Sequence, residues 1–122
     1  MNIKYAKYDL DGRLISFSVR IIHIAEKLPK TITGKHLAGQ LIRSGTSPTL
    51  NYGEAQSAES TADFIHKMRI CLKELRETMA NLKIIQGLKY FKDGMMDQLI
   101  DENDELIAIF VASLKTAQHK HN

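Results

Sequence analysis

Side chains that commonly act as nucleophiles are present in this chain, but they lack the partners that catalysis needs. The candidates are Ser44, Ser47 and the single cysteine, Cys71. A serine nucleophile needs a nearby base, usually histidine, to take its proton, and the sequence places no histidine near either serine. Cys71 lies on the apolar face of a predicted helix, which is typical of a small buried hydrophobic residue. We therefore predict no catalytic residue and a protein that is not an enzyme.

Residues that could bind a metal ion or a phosphate occur at the wrong spacing. A dinuclear metal site in a helical bundle takes inward glutamates and two Glu-x-x-His pairs, whereas this chain has a single Asp63-x-x-His66 pair. The segment from Gly39 to Thr46 contains glycines but lacks the spacing and the lysine of a phosphate-binding loop. We expect no bound metal and no cofactor.

Positive charge recurs at helical spacing in two places. The first basic row consists of Arg13, Arg20 and Lys27, and the second basic row consists of Arg69, Lys73, Arg76 and Lys83. Seven residues make about two helical turns, so each row lies along one face of a helix, where it could contact successive phosphates of a nucleic acid. No aromatic residues alternate with these cations to stack on bases. The alternative is that both rows are ordinary solvated helix faces.

Helical periodicity places these rows within four helices. Apolar residues recur at spacings of three and four residues in the ranges 11–28, 34–55, 61–89 and 96–117. Pro29 is expected to stop the first helix, and Thr33 and Ser60 are suited to cap the second and third. Short connections favour antiparallel neighbours. We predict an all-α fold, an up-down-up-down antiparallel four-helix bundle, with residues 1–122 forming one domain.

Two helices carry more apolar surface than a single buried stripe provides. In the first helix, Ile15, Val19 and Ile22 form a second stripe, and in the third, Ile70 and Ile84 lie on the flank away from the inner face. One stripe suffices for a helix of a monomeric bundle. The extra residues therefore indicate either a broad core or contact with another subunit.

The buried seam predicted for the second helix is unusually polar. Ser44, Pro48 and Asn51 occupy positions where the repeat calls for apolar residues. Proline removes a backbone hydrogen bond and predicts a kink, and the hydroxyls of Ser44 and Ser47 could bond the freed backbone groups. Asn51 is expected to be a buried amide that fixes register or oligomeric state. We interpret this set as a packing device, with a binding surface as the alternative.

Charged residues flank this polar seam. Arg43 is expected to pair with Glu54, or with Glu74 or Glu77 of the third helix, if the bundle or a neighbouring subunit brings them together. Glu74 and Glu77 are themselves predicted to lie on the outer flank of that helix. These residues belong to the same polar set as Ser44. They are therefore interpreted in the same way, as a packing device or, alternatively, as a binding surface.

The bulk composition is that of a soluble globular domain. The chain has 122 residues, a net charge of +3 and 43% hydrophobic residues, which are values typical of one folded domain. The N-terminal segment has no apolar signal-peptide core. The most apolar run, residues 106–114, is shorter than the roughly 20 residues of a membrane-spanning helix. We expect a cytoplasmic protein with no membrane partner.

A set of short patterns in the middle of the chain is specific enough to suggest a family. They read Q-L-x-R-S, S-P-x-x-N-x-x-E, S-x-x-D-F-I and I-C-L-K-E-L-x-E-T. The residues that carry them are Arg43, Ser44, Ser47, Pro48, Asn51, Glu54, Ser60, Asp63, Phe64, Glu74, Glu77 and Thr78. In these patterns the chain resembles the bacterial four-helix-bundle family encoded in intervening sequences of 23S ribosomal RNA genes, whose members are often labelled ribosomal proteins.

The resemblance implies a four-helix bundle without enzymatic activity that forms a homo-oligomer, with a pentamer as the favoured size. A relative of the family is the accessory variability protein of diversity-generating retroelements, a basic pentameric barrel that binds nucleic acid and a reverse transcriptase. Together with the two basic rows, the resemblance implies association with RNA or a ribonucleoprotein. The alternatives are a protein-interaction scaffold and a reverse-transcriptase accessory protein. The chain departs from the commoner family pattern N-I-x-E-G by having N-Y-G-E-A at residues 51–55.

Overall fold

Four helices account for most of the computed structural model, which describes residues 9–121. They are α1 (Leu10–Glu26), α2 (Ile32–Gln56), α3 (Thr61–Gly87) and α4 (Asp97–His121). Each helix packs along the next one in sequence, and α1 and α4 make a smaller contact. No strand occurs between residues 9 and 121. The predicted all-α four-helix bundle is confirmed, although residues 1–8 and 122 of the predicted domain lie outside the described residues.

Hydrogen bonds between helices show that neighbouring helices are antiparallel. Thr49 Oγ1 of α2 donates to the carbonyl of Leu14 near the start of α1, at 3.0 Å. Asn103 of α4 donates through Nδ2 to the carbonyl of Leu75 in the middle of α3, at 3.2 Å. At the other end of the same helix pair, Gln86 Nε2 lies 3.5 Å from Asp97 Oδ1. These contacts also define which residues lie at the same height along the bundle.

The helix ends follow the capping chemistry of the sequence, with one correction. Ser60 caps α3 as predicted, because its Oγ accepts from the backbone N–H of Asp63 at 3.0 Å. The cap of α2 is Thr31 and not Thr33, since Thr31 has an extended backbone and its Oγ1 accepts from the N–H of Gly34 at 3.0 Å. Gly34 is required at that position because a Cβ would collide with the carbonyl of Pro29.

The described helices are offset by a few residues from their predicted ranges. The first ends at Glu26 and the third at Gly87, two residues earlier than predicted in each case, while the fourth begins at Asp97 and continues to His121. Helix ends are defined by local hydrogen bonds, which an apolar repeat does not report.

The core lies between all four helices and is lined by Phe17, Leu41, Leu75 and Phe110, each almost completely buried. The inner face of α3 is rotated from the predicted one. The apolar repeat of the third helix predicts Phe64 and Met79 on that face, but both are only partly buried, whereas Ile65 and Thr78 are buried. Thr78 faces inward because its hydroxyl forms a hydrogen bond with a polar residue of α2.

Candidate functional site

Ser44 lies at the centre of a buried polar contact between α2 and α3. Its side chain is fully buried, and its hydroxyl oxygen lies 2.9 Å from that of Thr78, in a hydrogen bond. Asn81 Nδ2 also reaches Ser44 Oγ, at 3.4 Å. The prediction that this hydroxyl would bond backbone groups freed by Pro48 is wrong, because its partners are on α3. A buried hydrogen bond of this kind penalises any other register of the two helices.

Arg43 joins the same two helices at the bundle surface. It lies 2.9 Å from Glu74 and 2.6 Å from Glu77, measured between guanidinium nitrogen and carboxylate oxygen. The hydrogen bond with Glu77 and the charge of Glu74 raise the pKa of Arg43 above its usual value. The predicted pairing with Glu74 and Glu77 is confirmed, while Glu54 instead pairs with Lys67 at 3.1 Å.

Glu74 does not lie on an outer flank as predicted. Only 11% of its side chain is exposed, whereas 37% of Glu77 is exposed. The same rotation that turns Thr78 into the core carries Glu74 toward α2. A largely buried carboxylate depends on its cation more than an exposed one does, so Glu74 depends on Arg43 more than Glu77 does.

The remaining polar residues of α2 have local partners. Asn51 Nδ2 donates to the carbonyl and the hydroxyl of Ser47, at 3.1 and 2.9 Å. Asn51 is half-buried and both of its hydrogen bonds are within its own helix, whereas Ser44 supplies a polar contact across the seam. Pro48 is buried inside an unbroken α2, and its carbonyl accepts from Cys71 Sγ at 3.5 Å.

Cys71 has the environment of a structural thiol. It is fully buried, and burial raises its pKa to about 12. The thiol therefore stays protonated at neutral pH, and the thiolate that a nucleophile needs is not formed. Its role is to pack between α2 and α3.

Asn103 of α4 is a buried amide that the sequence reasoning missed. It is fully buried, with Nδ2 bonded to the carbonyl of Leu75 and with Oδ1 lacking a protein partner among the described residues. A signal was present, because Asn103 follows Leu99 by four residues and precedes Leu106 by three. That spacing marks a buried position of the helix. The acidic residues on either side of Asn103 instead indicate an exposed segment, so the buried position was not recognised.

The first basic row is not a uniform charged face. Arg13 lies 2.6 Å from Glu102 and 3.2 Å from Glu105 of α4, and its side chain is 21% exposed. The hydrogen bond with Glu102 raises the pKa of Arg13 further above its usual value. Arg20 is half-buried and Lys27 is exposed, and neither forms an ion pair within residues 9–120. Arg13 therefore serves the α1–α4 contact.

The second basic row is exposed along its whole length. None of its four cations forms an ion pair with any residue between 9 and 120. Leu72 and Ala80 lie between the cations and form the floor of a shallow open depression bordered by Arg69, Lys73, Arg76 and Glu77, whose carboxylate is paired with Arg43. This arrangement presents guanidinium and ammonium groups beside an apolar strip, which suits an extended anionic partner.

Charge along α3 and α4 differs between the two ends of the bundle. The contact between Gln86 and Asp97 places Lys83 beside the first turn of α4, where Asp97 and Asp101 are exposed, and the contact between Asn103 and Leu75 places the exposed Asp104 near the height of Lys73 and Arg76. Arg69 faces the last turns of α4, where Ala108, Ala112 and Lys115 are exposed. Positive charge is thus least compensated around Arg69, which is the strongest candidate for contact with an anion.

The described residues contain neither a metal-ligand cluster nor a helix suited to span a membrane. Among residues 9–120, no three histidine, cysteine or acidic side chains are grouped so that they could hold a metal ion. In the part of the chain that the structure describes, no helix has the length and apolar character needed to cross a membrane.

Known proteins similar to this chain share its architecture. Residues 12–112 match the family described as 23S rRNA-intervening sequence protein. The chain is similar to a crystallised protein of unknown function from the S23 ribosomal protein family of Bacteroides thetaiotaomicron VPI-5482, with 30% sequence identity and a TM-score of 0.80. The similarity covers 86% of this chain and 97% of that one. No curated protein matches. Because the family match spans most of the four-helix bundle, the chain belongs to the 23S rRNA-intervening sequence protein family.

Proposed function

We propose that this protein is a non-enzymatic, homo-oligomeric helical bundle that binds structured RNA, free or within a ribonucleoprotein, through the second basic row. The observation that carries the proposal is the exposure of Arg69, Lys73, Arg76 and Lys83 without a carboxylate partner among the described residues. The family description and the ribosomal label of the Bacteroides protein support an RNA partner.

The recognition would be electrostatic and largely independent of base sequence. Arginine presents a planar fork that can bond two phosphate oxygens, while lysine acts as a point charge. The row lacks aromatic side chains, so bases are not stacked. Arg20 and Lys27 of α1 would add secondary contacts, whereas Arg13 is already paired with two carboxylates.

Self-association strengthens this function. A single row of four cations binds RNA weakly, but several rows on one assembly act together and raise the overall affinity. The support for self-association is the exposure of apolar residues such as Ile15 and Leu50, at 48% and 68%. We propose a pentamer as the size of the assembly.

Charge reversal of the second basic row tests the RNA contact. Replacing Arg69, Lys73 and Arg76 by glutamate is expected to lower the affinity for a structured RNA at low salt by about a hundredfold or more, because three phosphate contacts become repulsive. Binding is measured by fluorescence anisotropy together with the dependence on salt concentration. The same change at Lys30, Lys35 and Lys92, which are exposed and outside both rows, is the matched control. Equal binding by the two triple variants would refute the proposed surface.

A protein-interaction scaffold is the second candidate function, and the reverse-transcriptase accessory role falls within it. The observation that favours it is a group of exposed apolar side chains at the C-terminal end of α3, Ile84 and Leu88. If this function applies, Ile84→Ser releases a co-purifying protein while the charge-reversal variant retains it.

A further inference from the structure

One end of the bundle holds both the α1–α2 and the α3–α4 connections, residues 27–31 and 88–96, and it is rich in lysine. Against a single acid, Asp93, these connections carry Lys27, Lys30, Lys89 and Lys92. All four lysines are exposed, and none forms an ion pair with any residue between 9 and 120. Lys35, exposed in the first turn of α2, adds a fifth. An excess of unpaired cations attracts an anionic partner.

Two apolar side chains are exposed at the same end and form an apolar pair, Ile32 and Leu88. Ile32 is 92% exposed and Leu88 is 44% exposed. Ile32 precedes Arg43 by eleven residues in α2, and Leu88 follows Glu77 by eleven at the end of α3. Eleven residues make about three helical turns, and Arg43 and Glu77 are in contact at 2.6 Å. Because α2 and α3 are antiparallel, Ile32 and Leu88 lie at the same height and on the same side of the bundle.

A cavity of about 220 Å³ lies beside the apolar pair, under the α3–α4 connection. Phe91 and Met96 line it together with Lys89 and Lys92. A cavity of about 150 Å³ can hold benzene, whereas pockets for complete small molecules measure about 300–1,000 Å³. The cavity is therefore suited to one large side chain of a partner. Lys89 follows Leu88 directly, so the cavity and the apolar pair adjoin.

Lys89 occupies a backbone position that normally favours glycine. Its φ is 60°, and its N–H donates to the carbonyl of Gln86 at 3.1 Å, where α3 ends. A glycine would end the helix in this left-handed conformation without the steric cost of a Cβ. The turn alone therefore does not explain a lysine, whereas a charge at the mouth of the cavity does.

We propose that this end of the bundle binds an acidic segment of a partner protein. One large apolar side chain of the segment fills the cavity, its neighbours cover Ile32 and Leu88, and its carboxylates contact the lysines. An RNA would engage the lysines but leave the apolar pair uncovered, and a flat lipid surface would leave the cavity empty. This inference rests on the protein-interaction function proposed above as the second candidate, and it names the class of partner.

Selection from a random peptide library against the immobilised full-length chain tests the class of partner. The enriched peptides are expected to combine one aromatic or large aliphatic residue with several acids. Replacing the acids of a selected peptide by amides, or its apolar residues by serine, should each weaken binding about tenfold or more in fluorescence anisotropy, because both kinds of contact contribute. Enrichment of basic or uncharged peptides would overturn the proposal.

The two triple variants used for RNA binding locate the site. The glutamate variant of Lys30, Lys35 and Lys92, which is the control for RNA, is expected to weaken binding of the selected peptide about tenfold or more. The glutamate variant of the second basic row should retain the peptide. Equal weakening by both variants would show a general electrostatic attraction and overturn the site. Ile32→Ser changes a side chain that is 92% exposed and should weaken the peptide without lowering the melting temperature.

Lys89→Gly separates binding from folding. Glycine suits the left-handed position, so the melting temperature should be unchanged or higher while the selected peptide binds about threefold or more weakly. An unchanged affinity would overturn the assignment of Lys89 and the cavity to the site. A loss of melting temperature would contradict the account of the turn.

The remaining outcomes distinguish this site from the function on which it rests. A library that yields no enriched peptide would refute the protein-interaction function itself. An enriched peptide that the variant of Lys30, Lys35 and Lys92 still binds would refute only this site. Phosphatidylserine vesicles that sediment with the wild type but not with that variant would make a lipid surface the occupant, which also overturns the proposal.

Discussion

Two kinds of arginine occur on this bundle, and sequence spacing does not distinguish them. Arg13 and Arg43 each contact two carboxylates of another helix, whereas Arg69 and Arg76 have no acidic partner among the described residues. Arg13 and Arg69 each begin a row in which cations recur at seven-residue spacing, with Lys73 added in the second row. The difference comes from the neighbouring helix, α4. It places Glu102 and Glu105 against α1, whereas the residues of α4 opposite Arg69 are alanines and Lys115.

The comparison separates cations that hold the fold together from cations that remain available to a ligand. A paired arginine can be removed only by leaving carboxylates that are partly buried and uncompensated. An exposed arginine can be removed with little effect on stability. The same change in charge should therefore lower stability when it is made at a paired arginine, and weaken RNA binding when it is made at an exposed arginine.

The largest difference is expected between Arg13 and Arg20, which share the first basic row. Arg13→Glu places a third carboxylate against Glu102 and Glu105 at the α1–α4 contact, which is smaller than the contacts between helices adjacent in sequence. We expect it to lower the free energy of unfolding by about 2 kcal/mol. Arg20→Glu makes the same change in charge without facing a described ion-pair partner and should cost no more than about 0.5 kcal/mol. Urea denaturation measures both, and equal losses would show that the pairing of Arg13 is not what distinguishes them.

Much of the fold follows from the sequence because it depends on periodicity. The apolar repeat predicts four helices, and the Ser60 cap follows from residue type and spacing. The pairing of Arg43 with Glu74 and Glu77 is one of the alternatives that the sequence left open, the other being Glu54. The rotation of α3 does not follow. Glu74 and Thr78 are polar, so a hydrophobic repeat assigns them to the outside, yet each has a partner on α2 that makes burial acceptable.

The candidate site is harder to predict for the same physical reason. Spacing shows that Arg13 and Arg69 each lie on a helix face, but it does not show which side chains the adjacent helix presents. Asn103 shows why spacing alone is insufficient. It occupies a position where the repeat normally has a buried apolar residue, yet its neighbours in sequence are acidic. Arg43 and Glu74 could be matched because both belong to one recognisable set of polar residues. Arg13 and Glu102 are 89 residues apart and share no such pattern.

A smaller difference in stability is expected between Arg43 and Arg76. Arg43→Ala leaves the largely buried Glu74 without its cation and should lower the free energy of unfolding by about 1 kcal/mol, since a buried charge loses its compensation while the exposed guanidinium itself contributes little. Arg76→Ala removes an exposed side chain and should change stability by less than about 0.5 kcal/mol. Recovery of stability on adding Glu74→Gln to Arg43→Ala would confirm the cause, and no recovery would contradict it.

The finest difference concerns the salt dependence of RNA binding. Arg69→Gln removes one cation from the second basic row and is expected to lower the slope of log affinity against log salt by about 0.7 to 0.9, the value for one phosphate contact. Arg13→Gln removes a cation that already contacts two carboxylates and should leave the slope unchanged, although it lowers stability. Both variants have the same net charge, so a general electrostatic effect would change both slopes equally. Only a phosphate contact specific to Arg69 would change one slope and not the other.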